Sequence, residues 1–190
     1  MASFWLHTVL LVPLSAFAGA VLLCHRTPDL SAVSTSLQAK ETALYDLASV
    51  LEQTAIKQAG QVELSEGELN DYLLRTLRGT STGTMTSMAR LDRVLFDLEE
   101  GRARLHVCWT VLGHTTVASV DFAVQRTKRD FTVEVLSGAY GKLEVGRGLL
   151  LPLMPTLEKL AGACKPEIDA LFKLPNIRIA KDKIVLDPKF

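Results

Sequence analysis

From Leu91 to Tyr140 apolar and polar residues alternate with a period of two, the mark of strands with one buried face. Turn residues at Glu100-Gly101, Gly113-His114 and Lys128-Arg129 cut this stretch into four strands and set three hairpin registers. The first pairs Leu98 with Ala103, Phe96 with Leu105 and Val94 with Val107. The second pairs Leu105 with Phe122, Val107 with Val120 and Trp109 with Ala118, and the third pairs Phe122 with Val135, Val124 with Val133 and Arg126 with Phe131. All of these residues share one face, while Asp97, Arg104, His106, Asp121, Gln125, Thr132 and Glu134 share the other. The pattern predicts an antiparallel meander sheet with one apolar face that helices or a ligand must cover.

The helical period appears on both sides of this sheet. Leu30, Val33, Leu37, Leu44, Leu47, Leu51 and Ala55 recur at helical spacing, interrupted at Lys40-Glu41, and predict a stalk or cover helix up to about Gly60. Ser65 followed by Glu68 forms a capping box, with Leu64 and Leu69 at the staple positions, and opens a helix bearing Leu69, Tyr72, Leu73 and Leu77. Gly79 to Met88 lacks any period and reads as a loop. Beyond the sheet, the glycines from Gly138 to Gly148 suit a bent or bulged strand exit. An apolar run from Gly148 to Pro155 then feeds a helix with Leu157, Leu160 and Cys164, which Pro166 kinks or restarts before Ile168 and Leu171. A small hairpin about Lys181-Asp182 closes the chain, with Ile177, Ile179, Ile184 and Leu186 on one face.

Phe4 to Cys24 contains no Asp, Glu, Lys or Arg and is long enough to cross a bilayer core, which takes about 20 apolar residues. Ala16-Phe17-Ala18 offers the small-x-small pattern of a signal cleavage site, yet Val21-Leu22-Leu23 continue the apolar run past it, so a retained anchor is favoured over a cleaved signal. Three segments follow: residues 1–28 as membrane anchor or signal, 29–60 as stalk or cover helix, and 61–190 as an α+β domain.

Charge changes this picture little. The chain has 21 basic and 21 acidic residues, a net charge of zero, and no interleaving of aromatics with Lys or Arg, which sets nucleic acid aside. Three scattered cysteines, Cys24, Cys108 and Cys164, form neither a disulfide framework nor a metal-ligand pattern, and no cofactor motif is present. His106 falls opposite Asp121 in the second hairpin, with Cys108 and Ser119 nearby. Without a strained turn or an oxyanion-hole motif the pair reads as a surface contact rather than as a base and its orienting carboxylate.

Several of these marks, in this order, resemble the YpmS-like family of bacterial membrane-anchored domains. The likeness rests on an amino-terminal span, the phrase Val62-Glu63-Leu64-Ser65-Glu66-Gly67-Glu68-Leu69-Asn70, and a Gly-rich exit from Gly141-Lys142-Leu143 into Gly148-Leu149-Leu150-Leu151-Pro152. The close Leu174-Pro175-Asn176-Ile177-Arg178-Ile179 completes it. Such domains are similar in layout to tubular lipid-binding proteins. The resemblance implies an extracytoplasmic, lipid-handling role, whereas Arg26 after the span leans by the positive-inside rule toward a cytoplasmic domain.

The apolar sheet face has two outcomes. Leu157, Leu160, Ile168 and Leu171 cover it as a dry core, or a groove lined by Trp109, Phe122, Phe131, Leu149, Leu151 and Met154 is left for a lipid or another apolar ligand. The leading expectation is a single-pass, membrane-anchored, non-enzymatic envelope domain, mostly extracytoplasmic, that binds such a ligand between sheet and helix. The alternative is a scaffold that holds a protein partner through the 30–59 helix or a strand edge.

Overall fold

The computed structural model describes residues 2–31, 33, 47, 49, 51, 61–77, 89–126 and 131–187. The predicted Leu37 and Leu44 positions, the Gly79–Met88 loop and the Lys128-Arg129 turn lie outside them. Elements follow the chain as α1 (Ala2–His25), β1 (Val62–Ser65), α2 (Glu66–Thr76), β2 (Ala89–Glu99), β3 (Arg102–Val111), β4 (His114–Arg126), β5 (Phe131–Tyr140) and β6 (Leu143–Gly146). A 3-10 helix (Arg147–Leu153) leads into α3 (Met154–Ala163), α4 (Lys165–Leu171), β7 (Asn176–Ala180) and β8 (Lys183–Asp187). The class is α+β. A five-stranded antiparallel meander, β2-β3-β4-β5-β6, stands beside a three-stranded sheet, β1-β8-β7.

The first hairpin register is as the alternation requires, and so is the third where Phe122 pairs with Val135 and Val124 with Val133. The second differs by two residues: Leu105 pairs with Val120, Val107 with Ala118 and Ala103 with Phe122. The turn lies at Leu112-Gly113, both in the left-handed region at φ 49° and 83°, the condition for a two-residue hairpin loop. A shift of two keeps each side chain on its face and changes only its partner. The glycines past Gly138 do more than bend a strand: Gly141 (φ 59°) makes a turn, and β6 adds a fifth strand through Leu143↔Tyr140 and Val145↔Gly138. Val62–Ser65, expected only as the approach to a helix, pairs with β8 and widens the terminal hairpin to three strands.

Helices cover the apolar face. Leu73 of α2, Leu77 at its C-cap and Leu160 of α3 pack with Val94 and Val107, while Leu150 and Leu153 of the 3-10 helix pack with Ala118, Val120 and Val145. Leu150 lies directly against Gly138, where a β-carbon would collide with it and with the Ser119 carbonyl. Ser31, Val33, Leu47, Ser49 and Leu51 are helical, and Leu47 and Leu51 pack with Leu64, Ala170, Leu174 and Leu186. Leu47 and Leu51 thus lie against the domain.

The face expected to be wet is buried at its centre. Leu95, His106, Cys108, Val117, Ser119 and Asp121 are all inaccessible. Leu95, Cys108 and Val117 give this face an apolar middle, and the segment Thr27–Ser31 leaving α1 crosses over it beside Cys108 and Val117. Among the described residues no helix is long and apolar enough to cross a membrane, so the amino-terminal span stays an expectation of the sequence.

Candidate functional site

The phrase from Val62 to Asn70 acts at a strand edge. Ser65 accepts from the Glu68 amide at 3.3 Å and the Glu68 carboxylate accepts from the Ser65 amide at 2.9 Å, so both halves of the capping box form. This fixes α2 so that two of its polar residues meet β2. The Phe96 amide donates to Asn70 Oδ1 at 2.6 Å, Asn70 Nδ2 donates to the Phe96 carbonyl at 2.8 Å, and the Leu98 amide donates to Glu66 Oε2 at 2.8 Å. The Leu98 carbonyl accepts from the Asp182 amide at 3.0 Å. Asn70 and Glu66 are buried and take the place of a missing neighbour strand, which closes this part of the edge to pairing.

Of the six residues expected to line a groove, five have described side chains, and these fall in different surroundings. Trp109 is half-buried between the clusters of α3 and the 3-10 helix, and Phe122 packs edge-on against Phe96 at 5.7 Å between ring centroids. Met154 is half-buried at the start of α3. Leu149 and Leu151 point outward, 64% and 69% exposed, and the Phe131 side chain lies outside the described residues. Between α2 and β2 a cleft of only about 10 Å³ is left. A cleft of about 400 Å³ lies instead on the second face, between Thr27, Pro28, Leu30 and Ser31 on one side and Arg93, Cys108, Thr115 and Val117 on the other. Sequence reasoning missed it because the break at Thr27-Pro28 shows where the apolar run ends, not which sheet face the chain then crosses.

The two-residue register difference re-sorts the polar side chains of that face. Asp121 pairs with Arg104 rather than His106: Arg104 Nε donates to Oδ1 at 2.5 Å and Arg104 Nη2 to Oδ2 at 3.1 Å. Ser137 Oγ adds a bond to Oδ2 at 2.7 Å. Burial alone would raise the Asp121 pKa, but the bonds from Arg104 and Ser137 outweigh it and hold the carboxyl below its ordinary value.

His106 Nδ1 lies 2.8 Å from Ser119 Oγ, and its Nε2 is 4.0 Å from Asp97 Oδ2. The order serine, histidine, aspartate is that of an activated nucleophile; the geometry is not. The longer distance exceeds a hydrogen bond, and Ser119 is buried with no open side for a substrate. Burial, with the Arg104 charge next, depresses His106 to a pKa of about 4, so the ring is neutral at physiological pH. Burial likewise raises the thiol of Cys108, against the pull of Arg93, and takes Cys164 to about 11, which keeps both protonated and unreactive. A further polar pair lies under α4: the Tyr72 hydroxyl donates to Glu167 Oε1, and burial with that bond pushes Tyr72 up to about 12. Among the described residues no group of three or more His, Cys, Asp or Glu gathers as for a metal ion.

Two of the features offered for a protein partner are engaged within the domain. Leu47 and Leu51 are in the core, and β2 is closed at Phe96 and Leu98. No protein-family model matches the chain, and no curated protein is similar to it. What fold and site define together is a class: a two-sheet α+β domain with helices packed on the apolar sheet face and an apolar helix attached at one end.

Proposed function

We propose that this chain is a membrane-tethered, non-enzymatic domain that meets lipid or another apolar ligand at the end where α1 joins it. The observation behind this reading is α1 itself. Leu11, Leu14, Phe17 and Leu22 are all strongly exposed, and the helix carries no Asp, Glu, Lys or Arg on any side. A helix apolar on all sides has no stable place in water and suits a bilayer. The packing of Leu73, Leu77 and Leu160 on the sheet supports a ligand contact outside the core, at the outward-facing leucines. The buried Ser119 and neutral His106 favour a binding role over catalysis, and the resemblance to membrane-anchored domains supports a domain held mostly outside the cytoplasm.

Washing of membranes that contain the full chain with alkaline carbonate tests the tether. The unaltered chain stays in the pellet, and Leu14→Glu/Phe17→Glu moves it to the supernatant. Release of the unaltered chain by the same wash would remove the tether. Solvent extraction of the purified full chain tests the ligand: lipid retained above the level of a detergent control is expected, and none retained would leave a tethered domain without one.

A further inference from the structure

Leu149 and Leu151 stand alternately on the 3-10 helix with the exposed Pro152 behind them, while the residues between and after them, Leu150 and Leu153, are buried. This short helix is therefore fixed from beneath, and its two outward leucines are held rather than left to collapse on the core. Its position relative to α1 is also fixed. The Gly141 turn is packed against the backbone of Leu23, Cys24 and Arg26, leaving no space for a β-carbon, and the Lys142 amide donates to the Leu23 carbonyl at 3.0 Å. One residue before that turn, the Tyr140 hydroxyl donates to the Leu149 carbonyl at 3.1 Å. The root of α1 and the leucine pair are thus tied to the same β5–β6 turn.

We propose that Leu149 and Leu151 form a second membrane contact, inserting into the bilayer interface beside the root of α1 and setting how the domain sits on the lipid surface. The proposal rests on the tether reading and deepens it. Two large apolar side chains held outward and tied to the turn that carries the root of an apolar helix suit a bilayer interface as their occupant. Charge contributes little: Arg26, Lys142 and Arg147 at this end against Asp29 and Glu144 leave a single net positive charge, so contact with neutral lipid is expected as well as with anionic lipid.

Spin labels on the full chain in liposomes test this. With Cys24→Ser as background and Cys108 and Cys164 buried, Leu151→Cys, Phe17→Cys and Thr132→Cys are labelled one at a time. Accessibility to oxygen and to a water-soluble nickel chelate is then read in phosphatidylcholine vesicles with and without phosphatidylglycerol. The expected result is oxygen-favoured relaxation at positions 17 and 151 and nickel-favoured relaxation at 132, in both lipids. Oxygen-favoured 17 with nickel-favoured 151 would overturn the second contact and leave the tether standing. Nickel-favoured relaxation at both would overturn the two together. Leu149→Ser/Leu151→Ser, at exposed positions, keeps the fold and, if the contact is real, moves a label on Lys142→Cys toward the aqueous phase.

Discussion

On one face of the five-stranded sheet, Val94, Val107 and Val120 lie under α2, α3 and the 3-10 helix; on the other, Leu95, His106, Cys108 and Ser119 are buried on the side that the chain leaving α1 crosses. Burial is nearly complete in both places, but it is reached differently. The helix-covered face needs only shape, since each buried aliphatic side chain gains about 1.5–3 kcal/mol from leaving water. The second face mixes aliphatic residues with a histidine, a serine and a carboxylate, each of which needs a partner before burial is tolerable. Arg104 and Ser137 supply it for Asp121, and Ser119 and His106 supply it for each other. One face is specified by hydrophobicity, the other by pairing.

The strongest way to break this comparison is to delete the same atoms from both faces of one strand. Leu95 and Leu98 are fully buried on β2 and point to opposite faces. Each Leu→Ala substitution should cost about 2–5 kcal/mol in denaturant unfolding, the usual range for a buried leucine. A cost below about 1 kcal/mol at Leu95 alone would mean the second face is covered but not packed.

The next effect is a pH dependence confined to the second face. His106 has a folded pKa of about 4 against an ordinary 6.5, so between these values the unfolded chain binds a proton that the folded chain does not. Its contribution is complete above pH 6.5 and is lost as pH falls toward 4, by about 2–3 kcal/mol over the window. Asp97, raised chiefly by burial and then by Glu99, acts with the opposite sign near the acid end and trims the loss. In His106→Gln the melting temperature should vary less across this window. An unchanged slope would show that the ring is solvated in the folded state.

Asp121→Asn is smaller and lies further into acid. The carboxyl is held below its ordinary 3.8, so its stabilisation is present above that value and disappears as pH falls through the folded pKa. Because Arg104 is partly exposed, the expected loss at neutral pH is about 1–2 kcal/mol, discounted for solvent screening, and it should vanish in strong acid. A loss that persisted there would trace to packing and not to charge.

The alternation in β2 to β5 made one face legible because hydrophobicity alone specifies it. The second face was not legible, because His106, Ser119 and Asp121 look the same on paper whether water or chain covers them. The register depended on a local detail: Leu112 adopts φ 49°, a conformation for which leucine has no preference, and the two-residue difference that followed gave Asp121 to Arg104. Glu66 and Asn70 lie in the phrase that opens α2, whose start Ser65 and Glu68 cap. Their bonding to β2 depends on a contact 26 residues or more along the chain that no local pattern reveals. Leu149 and Leu151 were read as inward because three leucines in a row need shelter; Leu150 finds it against Gly138 and the other two do not.

The smallest prediction sharpens the comparison most cleanly, because it uses the same side-chain types on one meander. Glu99 and Arg102 flank the β2–β3 turn as directly opposed residues, and their side chains are 48% and 53% exposed. Arg104 and Asp121 are opposed in the next hairpin, but the carboxylate there is only 9% exposed. Double-mutant cycles on the two pairs separate register from burial. The exposed pair should show a coupling of about 0.2–1 kcal/mol that fades in salt, since water and ions already solvate both partners. The Arg104–Asp121 coupling should be larger and hold in salt, because removing Arg104 leaves a buried carboxylate with Ser137 as its remaining partner in this network. Equal couplings would mean that cross-strand geometry alone sets the strength of these pairs. The second face would then owe its burial to the leucine, the cysteine and the valine at its centre.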